Sequence, residues 1–424
     1  TELNLKNNNV SDVSQLLNLN NITTLDLSGN NISSLDIISK INNLEILNLS
    51  ANKINDISKI SGLKNLINLD LSNNSISTTS AIQQLTKLQI LNLSGNTSIS
   101  NIDDVLVSSL TNLNLSDTAI TKIDPDGDKS YIKILDCKNL KELRLANCKI
   151  TDISNLFVTE KVENTTKAVL RNIEILDLSN TGISSFSSIK LLENLKELYL
   201  KGNNISNLSG IDELQYLEYV NLDNNKINDS GLKNIRITTT SGGQTVTKSI
   251  LKAKQISLKN NQISDITPLG YMSEIEFLDL SENKVQSIKP IEQFSFSKGL
   301  NLRNQSIDMA IYKKNIDENQ YIILLNILQS AKDSSSKAYY SNSYYTTVGV
   351  ELNNGQEYQM APYYNVIMDS SKTTNDVMQV TVHGGITDGS TINFKLSTST
   401  SSIDTLKFED KNLDSAIYND LSSR

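Results

Sequence analysis

The chain reads as a leucine-rich-repeat solenoid, with a parallel β-sheet on its concave face and short 3-10 or irregular segments on its convex face, followed by an all-β sandwich. Three observations predict this. The pattern L-x-L-x-x-N-x-I-x-x-L/I-x-x-I-x-x-L-x-x-L starts at Leu25 and returns at Leu47, Leu69, Leu91 and Leu113, each 22 residues on. Leu, Ile, Asn and Ser recur throughout while the 424 residues hold only 7 Phe and no Trp, a bias that suits thin stacked layers. After Gln305 the period stops and the composition changes: ten of the 15 tyrosines lie from Tyr312 onward.

A further copy precedes at Leu3 and others follow at Leu143, Leu176, Leu198, Val220, Ile256 and Leu278, making twelve, with Leu300 and Leu302 as a thirteenth strand-like start. L-x-L has period two, a short strand with both leucines inward, and the apolar residues after it come every three, as 3-10 turns place them. No single coil buries its leucines alone. Neighbours therefore stack and pair their strands in parallel, which at ~4.8 Å per strand makes a sheet on the order of 60 Å long.

The Asn that closes L-x-L-x-x-N sits where the chain turns and leaves buried backbone groups, which an amide satisfies as donor and acceptor together. This ladder is Asn8, Asn30, Asn52, Asn74, Asn96, Asn203, Asn225, Asn261 and Asn283. Thr118, Cys148 and Thr181 interrupt it, small residues that still donate one bond, and the stretch they mark is expected to be irregular. Cys148 is thus read as a ladder residue, with pairing to Cys137 the lesser alternative. Two thiols exclude a disulfide framework and a multi-cysteine zinc site.

Extra sequence falls near 124–134, 157–171 and 235–253, after the strands and so away from the sheet. Ile237 to Val246, centred on Gly242-Gly243, reads as a projecting hairpin, either a tolerated loop or an extra contact element. Asp124, Asp126 and Asp128 alternate like calcium ligands, but glycine falls at the fourth position and Leu135 at the twelfth, where an EF-hand needs glycine at the sixth and Glu at the twelfth. They are read as a solvated acidic turn and only a weak metal candidate. Residues 1–304 form the repeat region and 305–424 the second domain. Its predicted strands are Thr346 to Leu352, Tyr363 to Met368, Val377 to His383 and Thr391 to Leu396, an antiparallel sandwich with a tail expected to be disordered. Tyr321 to Ala331 reads as a strand followed by a short helical turn. His383, the single histidine, is a strand-end surface residue.

A net charge of -8 and a pI near 5.0 argue against nucleic acid or an anionic membrane as partner, since phosphate binding needs clustered Lys and Arg. No apolar run approaches the ~20 residues of a membrane span. Nucleophile elbow, phosphate-cradling loop and metal cluster are all missing from the sequence, and carboxylates on an open sheet do not exclude water. The chain is therefore read as a non-enzyme with no cofactor, acting as a monomer.

Ile263-Ser264-Asp265-Ile266-Thr267-Pro268-Leu269 followed by Leu278-Asp279-Leu280-Ser281-Glu282-Asn283 resembles the internalin family of Gram-positive surface proteins, whose period is also 22 residues. The resemblance implies that the 305–424 domain is immunoglobulin-like and fused directly to the last coil. It also implies an extracellular protein, secreted or surface-attached, with roles in adhesion and virulence. Internalins carry a helical cap before the first repeat, whereas this chain is already in a strand at Leu3, so the natural start is expected upstream.

Residues beside and between the two leucines of each strand point to the concave face. In copies two to six these are mostly Thr, Asp, Asn and Ser, small polar residues that make a poor hot spot. From copy seven they become Glu142 and Arg144, Ile175 and Asp177, Glu197, Tyr199 and Lys201, Tyr219 and Asp223, then Lys259, Phe277 and Arg303. Aromatics beside charges are typical of protein interfaces. Tyr199 and Tyr219 are expected side by side, either packed together to shield the sheet or poised for a partner. The resemblance implies a protein partner on this face, a host receptor being one candidate; the alternatives are a cell-envelope structural protein that binds wall glycan by the aromatic row, or the substrate-recognition region of a larger protein.

Overall fold

The computed structural model describes residues 2–19, 21–123, 133–150, 153, 156, 158–162, 165–185, 189–241, 244–285, 289–291, 293–294, 296–302 and 305–312, together with the strands 320–324, 349–352, 357–359, 365–369, 377–383 and 391–397. Asp124, Asp126, Asp128 and Arg303 lie outside the described residues. The chain forms two compact units. One comprises Thr1–Lys226, Asn234–Ile237 and Ile250–Ile256, the other Ile227–Lys233, Thr238–Ser249 and Ser257–Arg424. None of the described helices is long and apolar enough to cross a membrane.

Thirteen three-residue strands, from Glu2–Asn4 to Gly299–Asn301, join one sheet in sequence order. They pair in parallel and in one register, Leu3 opposite Leu25, Leu25 opposite Leu47, and so on to Leu113 opposite Leu143. The middle residue of each strand in the first unit after Leu3 is buried, as is the leucine two residues later. These layers are the core, and burial of one leucine side chain stabilises by ~1.5–3 kcal/mol.

Three residues after each of the first twelve strands of this sheet the chain turns at a left-handed residue. The position before the ladder residue has positive φ in all twelve copies: Asn7, Gly29, Ala51, Asn73, Gly95, Asp117, Asn147, Asn180, Gly202, Asn224, Asn260 and Glu282. Asn, Asp and Gly tolerate this conformation and most other residues do not. At Gly202, φ is +69° and an added Cβ would stand 1.7 Å from Asn180 Oδ1. The glycine is there for both reasons.

From Asn30 onward each ladder amide ties two coils. Asn74 Nδ2 donates to the carbonyls of Leu49 and Leu71, both at 3.0 Å, while its Oδ1 accepts from Ile54 N at 3.0 Å. Asn225 repeats this with Leu200, Leu222 and Ile205 at 2.9, 3.0 and 3.0 Å. Where Asn is replaced, Thr118 and Thr181 donate to Leu115 O at 2.7 Å and Leu178 O at 2.6 Å, and Cys148 Sγ donates to Leu115 O at 3.2 Å. Cys137 and Cys148 are both buried free thiols, and burial pushes the Cys148 thiol up. The expected irregularity does not reach the sheet, since Asn112, Glu142 and Ile175 continue the register. Strand hydrogen bonding needs only the backbone, and a single donor per coil suffices to hold the turn.

Within 157–171 the chain makes an antiparallel hairpin, Thr159–Val162 with Thr165–Ala168. Arg171 and Lys138 both reach Glu160, at 2.7 and 3.1 Å. The strands Arg236–Ser241 and Gln244–Ser249 form the expected second hairpin, with Thr238 and Thr247 hydroxyls 2.9 Å apart.

In the second unit a helical turn, Asp229–Leu232, is capped by the Asn228 side chain. The Asp229 carboxylate accepts from Ser264 N at 2.7 Å and Asp265 N at 2.9 Å. Gln305, fully buried, completes the ladder: its Nε2 donates to Leu280 O at 2.8 Å and its Oε1 accepts from Val285 N at 2.8 Å. After it come five strands in the order Ser306–Tyr312, Thr391–Ser397, Val377–His383, Gly349–Leu352 and Glu357–Gln359, and a separate pair, Gln320–Leu324 with Asn365–Asp369. His383 closes its strand opposite Gly349. The sheet corrects the wholly antiparallel expectation, because Ser306–Tyr312 and Thr391–Ser397 pair in parallel. They are far apart in sequence, so no hairpin forces them to run antiparallel. The part of Tyr321 to Ala331 read as helical lies outside the described residues.

Candidate protein-binding face

Each strand offers two outward residues, its first and its third. In the first unit the third is Asn4, Asp26, Asn48, Asp70, Asn92, Asn114, Arg144, Asp177, Tyr199 and Asn221. All eight Asn and Asp residues in that row accept, through Oδ1, the backbone N–H two residues on, at 2.9–3.1 Å. This is an Asx turn that leads each strand into its left-handed residue. A short side-chain acceptor is thus the structural default of the row. Arg144 and Tyr199 abandon it.

Those two residues meet. Across Asp177 the Arg144 guanidinium stands 5.4 Å from the centre of the Tyr199 ring, in cation–π range. Arg144 Nε donates to Glu142 Oε1 at 2.5 Å, and its NH1 lies 3.7 Å from Asp177 Oδ2. Burial works against the charge of this guanidinium, but the hydrogen bond to Glu142 and the charges of Glu142 and Asp177 outweigh it, and the group is held above its usual value. Asn112 Nδ2 fixes the other oxygen of Glu142 at 2.6 Å.

Tyr199 OH donates to Glu197 Oε2 at 2.8 Å. Its phenol is raised above the usual range, first by burial and then by that hydrogen bond, since ionisation would place two negative charges together. The Tyr219 ring packs against Tyr199 at 5.2 Å between centroids, tilted by 47°. The two tyrosines are diagonal neighbours and not members of one row, because Tyr199 pairs with Asn221 and Tyr219 with Glu197. All of these side chains are half-buried. The result is a pre-ordered patch of one cation, two phenols and three carboxylates, with its rotamers fixed by mutual contacts.

The other predicted residues fall into three groups. Lys201 is exposed and Asp223 half-buried in the same unit. Lys259 and Phe277 belong to the second unit, where Lys259 pairs with Glu282 at 3.1 Å and Phe277 lies over Gly299, its strand partner. Phe277 therefore has a local structural role, covering a glycine in the sheet. Arg303 lies outside the described residues.

The first half of the row is less uniformly polar than composition suggested. Ile46 and Ile90, first residues of their strands, are 42% and 39% exposed. Their first-residue position in the alternating strand is legible in the sequence, although their outward neighbours are polar. No group of three or more metal-ligating side chains exists among the described residues.

Comparison with known families and structures agrees with this architecture. Leucine rich repeat models match residues 42–97 and 213–235, and a two-copy Leucine Rich repeats model matches 20–63 and 108–158. No curated protein sequence matches the chain. Among solved structures, a leucine-rich-repeat protein of Leptospira interrogans is similar with TM-score 0.53 and 25% identity over 72% of this chain and 79% of its own. The functional domain of InlJ from Listeria monocytogenes aligns with TM-score 0.51 and 15% identity over 94% and 90% of the two chains. An internalin of Listeria monocytogenes, InlF, aligns with TM-score 0.43 and 24% identity over 66% and 87%. The chain carries leucine-rich repeats, and its structural neighbours include internalins of Listeria monocytogenes.

Proposed function

We propose that this chain is a non-enzymatic, extracellular protein-binding module of internalin type, which docks its partner on the open face of the sheet around Arg144, Tyr199 and Tyr219. The carrying observation is the interrupted Asx row: eight of ten positions in the first unit keep the turn-capping side chain, and the two that give it up place an arginine against a tyrosine. Large Arg and Tyr side chains held in fixed rotamers are the usual anchors of protein interfaces. Glu142 and Glu197 orient them, and Lys201 and Asp223 supply a polar rim.

On this reading the protein is a monomeric surface or secreted adhesin of a Gram-positive bacterium, with an immunoglobulin-like domain over 305–424 and a host surface protein as partner. A glycan stacked on Tyr199 fits less well, because the guanidinium already covers that ring. The test is binding of the purified protein to intact mammalian cells and to purified bacterial wall. Capture of the cells that Arg144→Ala and Tyr199→Ala each weaken at least about tenfold, the loss of one anchor, is the expected result. Cell binding insensitive to both, or binding to wall alone, refutes the proposal.

A further inference from the structure

A second recess lies beside the sheet in the first unit, an open groove of about 540 Å³ that Lys141, Glu174, Lys196, Asn172, Asn194 and Tyr216 help to line. Lys141, Glu174 and Lys196 immediately precede strand residues that pair with one another, so they occupy the same position on three successive coils. Glu174 holds both lysines, at 3.5 Å from Lys141 Nζ and 2.7 Å from Lys196 Nζ. Two residues earlier on each coil stands an asparagine that grips the coil before it: Asn172 Nδ2 donates to Lys138 O at 2.8 Å and Asn194 Nδ2 to Arg171 O at 2.9 Å. Asn65 does the same with Asn42 O. On the next coil this position is Tyr216, 62% exposed. An asparagine on the two preceding coils gives way here to a large exposed aromatic.

We propose that this groove binds a linear glycan built from pyranose rings. The side chains supply what such a ligand needs: an exposed phenol ring for the C–H face of a sugar, asparagine carbonyl oxygens that accept from hydroxyls, and an ion-paired lysine–glutamate–lysine frame that both donates and accepts. The spacing separates a glycan from a peptide. Coils repeat at ~4.8 Å, close to the length of one sugar in an extended chain, whereas an extended peptide advances ~3.3 Å per residue. In an extended β-1,4-linked chain each ring is turned over relative to the last, so the same ring edge returns at about every second coil, whereas same-face residues of an extended peptide return every ~6.6 Å and drift out of phase with the coils.

The test is calorimetric titration with dimers, tetramers and hexamers of three 1,4-linked series: glucose, N-acetylglucosamine and a uronic acid. Binding of at least one series, rising from dimer to tetramer and levelling once the four coils that carry these residues are occupied, is expected. Tyr216→Ala weakens it about tenfold, as loss of one stacked ring would, and Glu174→Gln weakens it as well, while Tyr199→Ala leaves it unchanged. Each variant's melting temperature is measured alongside. No binding by any of the three hexamers, or binding indifferent to both Tyr216→Ala and Glu174→Gln in folded protein, overturns the proposal. Loss through Tyr199→Ala instead would move the glycan to the sheet face and overturn it equally.

Discussion

Two stretches of one sheet are built on the same backbone and differ in the side chains they turn outward, most plainly at the third residue of each strand. From Glu2–Asn4 to Asn112–Asn114 the third residue of every strand is Asn or Asp, and each caps the N–H two residues on. From Glu142–Arg144 to Tyr219–Asn221 the row reads Arg144, Asp177, Tyr199, Asn221, in the same parallel register. Strand geometry does not require the exchange, and on the proposed reading a partner does. The polar stretch shows what the coil needs, and the second stretch shows what has been added to it.

The largest test of this comparison is the asparagine ladder, which both stretches share. Asn74→Ala and Asn225→Ala each remove two donors to buried carbonyls and orphan one N–H, so both should cost a few kcal/mol, on the order of 2–4. Chemical denaturation measures this, and clearly unequal costs would mean that the stretches are not built alike. Next comes the left-handed position. Gly202→Ala should cost ~1–2 kcal/mol from backbone strain, with more from the clash at Asn180. Ala51→Gly, which relieves φ of 53° at a residue bearing Cβ, should be neutral or slightly stabilising, and a large loss there would contradict the strain argument.

Removing an Asx cap is a smaller change. Asn48→Ala should lose ~1 kcal/mol for the bonds that Asn48 makes to Ser50, without altering binding. A loss of binding would extend the site into the polar stretch, where exposed Ile46 and Ile90 stand ready as contacts. Titration gives the subtlest check. Because the Tyr199 pKa is raised, the contribution of its neutral phenol is fully present below the ordinary tyrosine value of ~10 and is lost only as pH rises through the raised value. Ultraviolet difference spectra against Tyr199→Phe should place this residue among the last to ionise. Ionisation near pH ~10 would mean that its hydrogen bond to Glu197 does not persist.

Much of this was legible because a repeat prints the same physics many times. Leu47, Leu69 and Leu91 declare the strand, and the recurrence of Asn at one offset declares the turn amide. The left-handed residue before it was equally visible, as Asn7, Gly29, Asn73 and Gly95 show, yet Ala51 and Glu282 blur that signal. Gln305 is less legible as a ladder residue because its side chain is one methylene longer than the Asn of the other coils, though it makes the same bonds. The site itself was half legible: Tyr199 and Tyr219 stand 20 positions apart and one coil apart. Arg144 is 55 positions from Tyr199, and the hairpin of 159–168 breaks the period between them, so their contact emerges only when the coils stack. Nor does sequence say that Arg144 would spend its charge on Glu142 and Asp177 as well as on a ring.

The most direct test restores the default side chains at both exchanged positions. In the double variant Arg144→Asn, Tyr199→Asn both positions regain the structural default, each new side chain able to cap the N–H two residues on. If Arg144 and Tyr199 are there for binding, the variant should melt at or slightly above the parent, a gain of up to ~1 kcal/mol, while losing its partner. A melting temperature several degrees below the parent would show that the Arg–Tyr cluster holds the sheet together, and the distinction between the two stretches would fall.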